Sequence, residues 1–142
     1  MSSVDRLISV LNRMRNIRLM EMNPEKVDIT LPQLDLMFFI MRAGSEGYHI
    51  QDIAEGMQLS TPTVSVAVKK LEDQGWLNRQ PDPDDKRASI ITLSGKSLKT
   101  LNKVKAHQRQ TMELFLQGIS SEEQQQLIEL LDRAVTFAEK QE

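Results

Sequence analysis

The chain contains no cysteine, which excludes disulfide bonds, thiol redox sensing and cysteine-ligated metal sites. It has only two histidines, His49 and His107, too few for an evident zinc or iron centre. Aromatic residues make up 4% of the chain, so a core must be built from aliphatic side chains and the eight methionines. We therefore expect neither a metal nor a cofactor.

Long apolar segments are missing as well. The longest apolar run, residues 36–41, has six residues, whereas a membrane-spanning helix needs about 20. The N-terminal segment lacks the basic and then apolar pattern of a signal peptide. The sequence therefore predicts a cytoplasmic protein with no membrane partner.

The charge of the chain is nearly balanced but unevenly distributed. Of the 142 residues, 27% are charged and 39% are hydrophobic, which is typical of one globular domain. The formal net charge is −2, yet residues 60–99 contain seven basic and five acidic residues, which leaves +2 in this stretch and −4 in the rest. A local basic region is what a nucleic-acid-binding protein requires, although this one is modest.

Hydrophobic periodicity predicts a mainly α-helical chain with one small β-hairpin. The helical period holds on both sides of a short central stretch, in which the period changes to that of strands. Capping-box patterns at Thr30 to Gln33 and at Ser120 to Glu123 mark the starts of two helices. The predicted helices cover residues 4–22, 31–42, 51–57, 61–74 and 94–117 and a last segment after Ser120, and the predicted strands cover 76–80 and 88–93.

Residues 51–74 fit a helix-turn-helix. This motif needs a small residue where its helices cross, for which Ala54 is suited, and apolar anchors, for which Leu59 and Val64 are suited. Gln58 stands in the turn, where glycine is commonest. If this position requires a positive φ, glutamine costs about 1 kcal/mol there.

The helix over 61–74 has two different faces. Thr61 is expected to cap the helix, and Pro62 suits its first turn. The inward face is apolar and consists of Val64, Ala67, Val68 and Leu71. The opposite face consists of Pro62, Ser65, Val66, Lys69 and Asp73.

The outer face suits the major groove of DNA, because short side chains let a helix approach the base pairs deeply. Hydroxyl groups can reach base edges or phosphates, Val66 can touch a thymine methyl group, and the two lysines are placed to meet phosphates. The alternative is an ordinary amphipathic helix with a solvated face. The predicted DNA-binding residues of this segment are Ser60, Thr61, Pro62, Thr63, Ser65, Val66, Lys69 and Lys70.

A charged turn, residues 81–87, lies between the two predicted strands. Its tip carries Lys86 and Arg87, as in a DNA-binding wing that inserts an arginine into the electronegative minor groove. Asp85 is close enough in sequence to hold the Arg87 guanidinium in one orientation. We add these three residues to the predicted DNA-binding set. The alternative is a solvated turn held by local ion pairs.

Taken together, these segments resemble the MarR family of bacterial transcription regulators. The wing pattern is the most specific part, and the order and spacing of the helices match the family from near residue 4 to near residue 140. Family members commonly have a basic residue where this chain has Val66, which implies less charge and a weaker salt dependence here. The resemblance rests on Ile53-Ala54, Thr63-Val64-Ser65, Leu71-Glu72-Asp73-Gln74-Gly75-Trp76-Leu77 with Arg79, and Asp82-Pro83-Asp84-Asp85-Lys86-Arg87 with Leu93-Ser94.

The resemblance implies a single domain over 1–142, with a winged helix-turn-helix lobe at 30–93 and a helical dimerisation lobe at 1–23 and 94–142. It places the helix over 61–74 in the major groove of double-stranded DNA and Arg87 in the minor groove. Apolar stripes on the terminal helices independently favour a homodimer, which would match a pseudo-palindromic operator. Alternatively, these stripes cover their own domain.

The resemblance also implies that a small acidic, often aromatic effector releases such dimers from DNA, as expected of a repressor. Methionine suits adaptable pockets, and several methionines fall near the predicted junction of the lobes. They equally well fill irregular gaps in a core. The predicted effector pocket consists of Met14, Arg18, Met37 and Met41.

Two other functions compete with that of a DNA-binding regulator. The acidic net charge and Val66 are compatible with a winged helix that docks proteins instead of DNA. For an enzyme, the sequence offers no Ser-His-Asp arrangement, no glycine-rich phosphate loop and no clustered metal ligands. We expect a packing role for His49 and a solvated position for His107.

Overall fold

The computed structural model describes residues 1–17, 26 and 28–142. Their α-helices are α1 (Ser3–Asn16), α2 (Leu31–Met41), α3 (Ile50–Met57), α4 (Thr61–Asp73), α5 (Gly95–Gln117) and α6 (Ser121–Glu139). Strands β1 (Leu77–Pro81) and β2 (Ser89–Leu93) form an antiparallel hairpin. The predicted fold class, mainly α with a β-hairpin wing, is confirmed. Within the described ranges, no helix has both the length and the apolar character needed to cross a membrane.

The chain divides into two compact units. One, here called the winged unit, is Glu21–Ala106, and the other, the terminal unit, is Met1–Met20 with His107–Glu142. The division falls within α5, whose Leu101 belongs to the hydrophobic core of the winged unit. The predicted lobe boundaries at residues 30 and 93 stay a prediction.

Side-chain caps set the starts of several helices, including α1, where Ser2 and Asp5 form a capping box. Thr30 and Gln33 form the predicted capping box of α2, and Ser120 and Glu123 form that of α6. The predicted cap of α4 is wrong by one residue, because the Oγ of Ser60, not the Thr61 hydroxyl, accepts from the backbone N–H of Thr63 at 3.2 Å. Thr61 and Pro62 are then the first helical residues, where a proline loses no helical hydrogen bond.

The core of the winged unit lies where α2, α3, α4 and the hairpin meet. Helix α2 is apolar nearly all round, and it contributes the most buried side chains of any one helix in this core. An isolated bridge joins Tyr48 to the centre of β2, where each residue donates its backbone N–H to the other's carbonyl. The fully buried side chains of this core include Leu34, Met37, Ile40, Ile53, Val64, Val68, Leu71, Ile91 and Leu101.

The hairpin begins one residue later than predicted. Its register pairs Leu77 with Leu93 and Pro81 with Ser89. Trp76 lies outside the strand because its N–H donates to the carbonyl of Leu71, which closes the turn after α4. A proline at the end of β1 is tolerated, because the backbone N–H that it lacks would lie at the margin of the hydrogen-bond ladder.

Helix α1 ends earlier than the apolar spacing predicts. Ile17 has extended backbone dihedrals and donates its N–H to the carbonyl of Met14, so the helix stops at Asn16. Side-chain periodicity indicates which face of a segment is apolar, but it does not fix where the hydrogen-bonded turns end. The rest of the predicted helix, residues 18–22, lies outside the described residues.

The turn between α3 and α4 requires a left-handed residue. Gln58 has φ 57° and ψ 42°. The positive φ on which the predicted cost of glutamine depends is therefore present. Leu59, expected to be an apolar anchor, is instead 44% exposed. The anchoring side chain is that of Val64, since Leu59 still stands in the turn with its N–H donated to the carbonyl of Ala54.

Replacing Gln58 with glycine is expected to stabilise the protein by about 0.5–1 kcal/mol, because glycine adopts a positive φ without the steric cost of a Cβ. The measurement is the free energy of unfolding in urea. Gln58→Ala is the matched control and should be nearly neutral, since alanine keeps the Cβ. Equal effects of the two substitutions would contradict strain at this position.

Candidate nucleic-acid interface

The outward face of α4 is open to solvent. Val66 is 72% exposed, and Thr61, Pro62, Thr63, Lys69 and Lys70 are also exposed. Ser65 lies half-buried, which differs from the predicted outward position. Val64, Val68 and Leu71, on the other side, have no solvent exposure. The exposed side chains are short near the start of α4 and cationic near its middle, as the sequence predicts.

Several polar groups of this face are already hydrogen-bonded within the protein. The hydroxyls of Ser60 and Thr63 are 2.6 Å apart at the N-terminus of α4. The Nζ of Lys69 donates to Asp73 at 3.3 Å, with both side chains exposed. An exposed pair of this kind contributes little to stability, so an anion can compete for the lysine.

The wing is the segment between β1 and β2, residues 82–88, and two aspartates shape it. Asp82 accepts from the N–H of Asp84 at 2.9 Å, and Asp85 accepts from the N–H of Arg87 at 3.0 Å. These are local turns in which a carboxylate binds the backbone two residues further on. They leave Lys86 and Arg87 exposed at the tip.

The predicted role of Asp85 is therefore wrong in detail. Its carboxylate holds the backbone of Arg87, and among the described residues no ion pair joins it to the Arg87 guanidinium. Because residues 85 and 87 are only two apart, the backbone N–H is the nearer donor. Asp85 thus shapes the turn and leaves the guanidinium free to bind elsewhere.

A groove of about 500 Å³ separates the start of α3 from the wing. His49, the residue before α3, reaches across it: its Nε2 lies 2.7 Å from a carboxylate oxygen of Asp82, and its Nδ1 lies 3.2 Å from Asp52. The hydrogen bond to Asp82 raises the pKa of His49 above its usual range, and Asp52 adds to this effect. The charged residues that line the groove are His49, Arg79, Asp82, Asp85 and Arg87.

His49 therefore has a polar, bridging role in place of the predicted packing role. Its side chain is 43% exposed, whereas that of Asp82 is only 13% exposed. The pKa of Asp82 is lowered, first by the N–H of Asp84 and then by His49. The spacing of His49 and Asp52, three residues apart at a helix start, is visible in the sequence, but the contact with Asp82 joins residues 33 apart.

The C-terminal end of α4 is tied to the start of α5. Ser94 Oγ donates to the carbonyl of Gly75 at 2.8 Å, and Ser97 Oγ donates to the carbonyl of Trp76. The Nζ of Lys96 donates to the carbonyl of Gln74 at 3.3 Å and lies 3.9 Å from the centre of the Trp76 ring. Cations near the C-terminus of a helix and over an aromatic ring are both stabilising.

The terminal unit leaves its apolar side chains uncovered. Helices α1 and α6 contain no buried residue. Eleven large apolar residues of these two helices are 41–67% exposed: Val4, Leu7, Ile8, Val10, Leu11, Leu127, Ile128, Leu130, Leu131, Val135 and Phe137. Positions 4, 7, 8 and 11 share one face of α1, and exposed apolar faces often mark interaction sites.

The four predicted effector residues belong to different parts of the chain, and their grouping into one pocket stays a prediction. Met37 is fully buried in the core of the winged unit, and Met41 packs against that core. Met14 belongs to the terminal unit, where it lines a surface groove. Arg18 lies outside the described residues. His107, expected to be solvated, is half-buried, because its Nε2 is shielded from solvent.

The fold and this site define a winged helix-turn-helix protein. A sequence model of the MarR family matches residues 27–88. The regulator YkoM of Bacillus subtilis (strain 168), described as an uncharacterised HTH-type transcriptional regulator, is 34% identical over 60% of this chain and 55% of its own length. The predicted resemblance to the MarR family is thus confirmed, and the family model matches residues 27–88.

Solved structures show the same fold across nearly the whole chain. S. aureus MepR bound to ethidium bromide superposes with a TM-score of 0.75 at 21% identity, covering 97% of this chain and 97% of that one. A point mutant of MepR bound to an oligodeoxyribonucleotide has a TM-score of 0.68 at 21% identity, covering 97% and 99%. PcaV from Streptomyces coelicolor in complex with its natural ligand has a TM-score of 0.63 at 21% identity, covering 96% and 94%.

Proposed function

We propose that this protein is a sequence-specific, double-stranded-DNA-binding transcription repressor that acts as a homodimer in the cytoplasm. The observation that carries the proposal is the solvent-exposed outer face of α4 in the same compact unit as an arginine-tipped wing. The similar MepR protein, in one of its structures, is bound to an oligodeoxyribonucleotide, which supports a nucleic-acid partner.

In the proposed complex, α4 lies in the major groove and the wing reaches the adjacent minor groove. Val66 is exposed beside short hydroxyl side chains and suits contact with a thymine methyl group. The Arg87 guanidinium has no carboxylate partner among the described residues, so it is available to the electronegative minor groove. Lys69 and Lys70 would contact phosphates.

The uncovered faces of the terminal unit support the proposed dimer. Burying a leucine-sized side chain stabilises a protein by about 1.5–3 kcal/mol, and α1 and α6 leave many of these exposed in a single copy. A second copy with the same faces can cover them around a twofold axis. Such a dimer would present two copies of α4 to a pseudo-palindromic site.

Release by a small ligand is the remaining part of the proposal. PcaV, which shares the fold, is known in complex with its natural ligand. In the terminal unit, Met14 lines a groove of about 430 Å³ with Val10, Ile17 and Phe115, and Arg13 lies at the same groove. Apolar walls with one cation suit a small acidic, aromatic molecule.

The proposal predicts that Arg87→Ala weakens binding to the preferred operator by about 1–3 kcal/mol while leaving folding nearly unchanged. The operator is first selected from a random pool of duplex DNA, and affinities are then measured by fluorescence anisotropy. Lys140→Ala, which removes the same charge from the other unit, should bind like the wild type. Wild-type affinity for Arg87→Ala would show that the wing does not contact DNA.

Lys69→Ala should weaken binding to all DNA sequences alike, because a phosphate contact carries no sequence information. The slope of log K against log salt should fall in magnitude by about one. A protein that retards no duplex DNA at low salt would instead be a winged helix that docks proteins, and the repressor proposal would fail.

The dimer proposal predicts that Leu131→Glu raises the dimer dissociation constant by about 100-fold or more, since a twofold interface contains the substitution twice. Sedimentation equilibrium gives this constant directly. Gln125→Glu is the matched control, because it adds the same charge to a polar position of α6. A wild-type chain that sediments as a monomer at every concentration would contradict the homodimer.

A further inference from the structure

We propose that His49 is a positioning residue for DNA binding: as an imidazolium it joins the start of α3 to the base of the wing and so holds Arg87 where it meets the minor groove. This inference rests on the proposed DNA-binding function. His49 is not one of the predicted DNA-contacting residues, and it acts on the wing through Asp82.

The hydrogen-bond geometry favours the protonated form. Both ring nitrogens of His49 lie within hydrogen-bonding distance of carboxylates, Nε2 at 2.7 Å from Asp82 and Nδ1 at 3.2 Å from Asp52. An ionised carboxylate only accepts hydrogen bonds, and a neutral imidazole has only one N–H. Both contacts are therefore hydrogen bonds only when the ring is doubly protonated and carries a positive charge.

Asp82 connects this charge to the wing backbone. One of its oxygens accepts from His49, and the other accepts from the N–H of Asp84. The N–H of Asp82 itself donates to the carbonyl of Ala88, which closes the base of the wing. Because the wing is an exposed loop of seven residues, 82–88, a long-range contact at its base restricts the directions that its tip can take.

The surrounding charges favour the imidazolium. Asp52 and Asp82 contact the ring directly, and Asp85 lines the same groove. The two cations of the groove are Arg87, at the exposed wing tip, and Arg79, whose Nε donates to Glu72 at 2.9 Å. The hydrogen bond with Asp82 raises the pKa of His49 from its ordinary value of 6.5.

The His49–Asp82 bridge is expected to weaken as the pH rises. Because the folded protein raises the pKa of His49, the bridge is complete below pH 6.5 and is lost as the pH rises through the higher pKa of the folded state. Since His49 is partly exposed, the effect is that of a surface ion pair, and operator affinity should fall about two- to fivefold from about pH 6 to about pH 9.

The experiment measures the dissociation constant of the selected operator across this pH range at constant ionic strength. We expect the decline in the wild type and in His107→Gln, which removes the other histidine. His49→Gln should bind with the same affinity at every pH, because an amide can donate to Asp82 but does not titrate. Asp82→Asn should also be independent of pH, although its amide oxygen can still accept from Asp84.

Arg87→Ala separates positioning from a direct charge effect. If His49 acts through the wing, the pH dependence disappears once the wing has lost its arginine. If the pH dependence persists in Arg87→Ala or in Asp82→Asn, the imidazolium attracts DNA by its own charge, and the positioning role is wrong.

A spectroscopic measurement tests the bridge without DNA. The chain has two histidines, so ¹⁵N-detected titration of the imidazole rings, assigned with His107→Gln, gives the pKa of His49. We expect a value above 6.5 in the wild type and a lower value in Asp82→Asn. Equal values would overturn the inference, whereas a wild type that binds no DNA would overturn the proposed function and leave the bridge standing.

Discussion

The inward face of α4 is the constraint on which the arrangement of the winged unit depends. Val64, Val68 and Leu71 have no solvent exposure, and a helix turns by about 100° per residue. Rotation of α4 by one residue would remove these side chains from the core and bury polar ones in their place. The burial of one face therefore fixes the other face outward, and that outer face carries the exposed Val66 and Lys69.

Hydrogen bonds from side chains fix both ends of α4. Ser60 caps the N-terminus, and Lys96, Ser94 and Ser97 bind the backbone carbonyls that follow the C-terminus. These contacts connect α4 to α5, the helix in which the chain passes from the winged unit to the terminal unit. These contacts lie within the winged unit and fix α4 against the start of α5.

The two units differ in how far they bury their apolar residues. The winged unit has a continuous core within one copy, whereas α1 and α6 have no buried residue. The same physical requirement, removal of apolar surface from water, is met internally in the first unit and would be met in the second by the proposed dimer. The polar surface of the winged unit, including the His49–Asp82 bridge, thus stays exposed for the proposed contact with DNA.

Local patterns in the sequence determined the helices, two capping boxes, the hairpin and the two faces of α4, because each depends on residues within one or two turns of one another. They also predicted the resemblance to the MarR family, through the wing and the segment before it. Boundaries shifted by one residue at Ser60 and Trp76, where the choice between neighbouring donors and acceptors depends on the folded backbone.

Only the tertiary structure decided which charged groups meet. Asp85 binds the backbone of Arg87, and Asp82 binds His49, a residue 33 positions away. No sequence period brings His49 and Asp82 together, since their contact exists only after the core has placed α3 beside the hairpin. Interactions between residues close in sequence thus determined the helices, the strands and their apolar faces. The packing of those elements against one another determined the bridge between α3 and the wing.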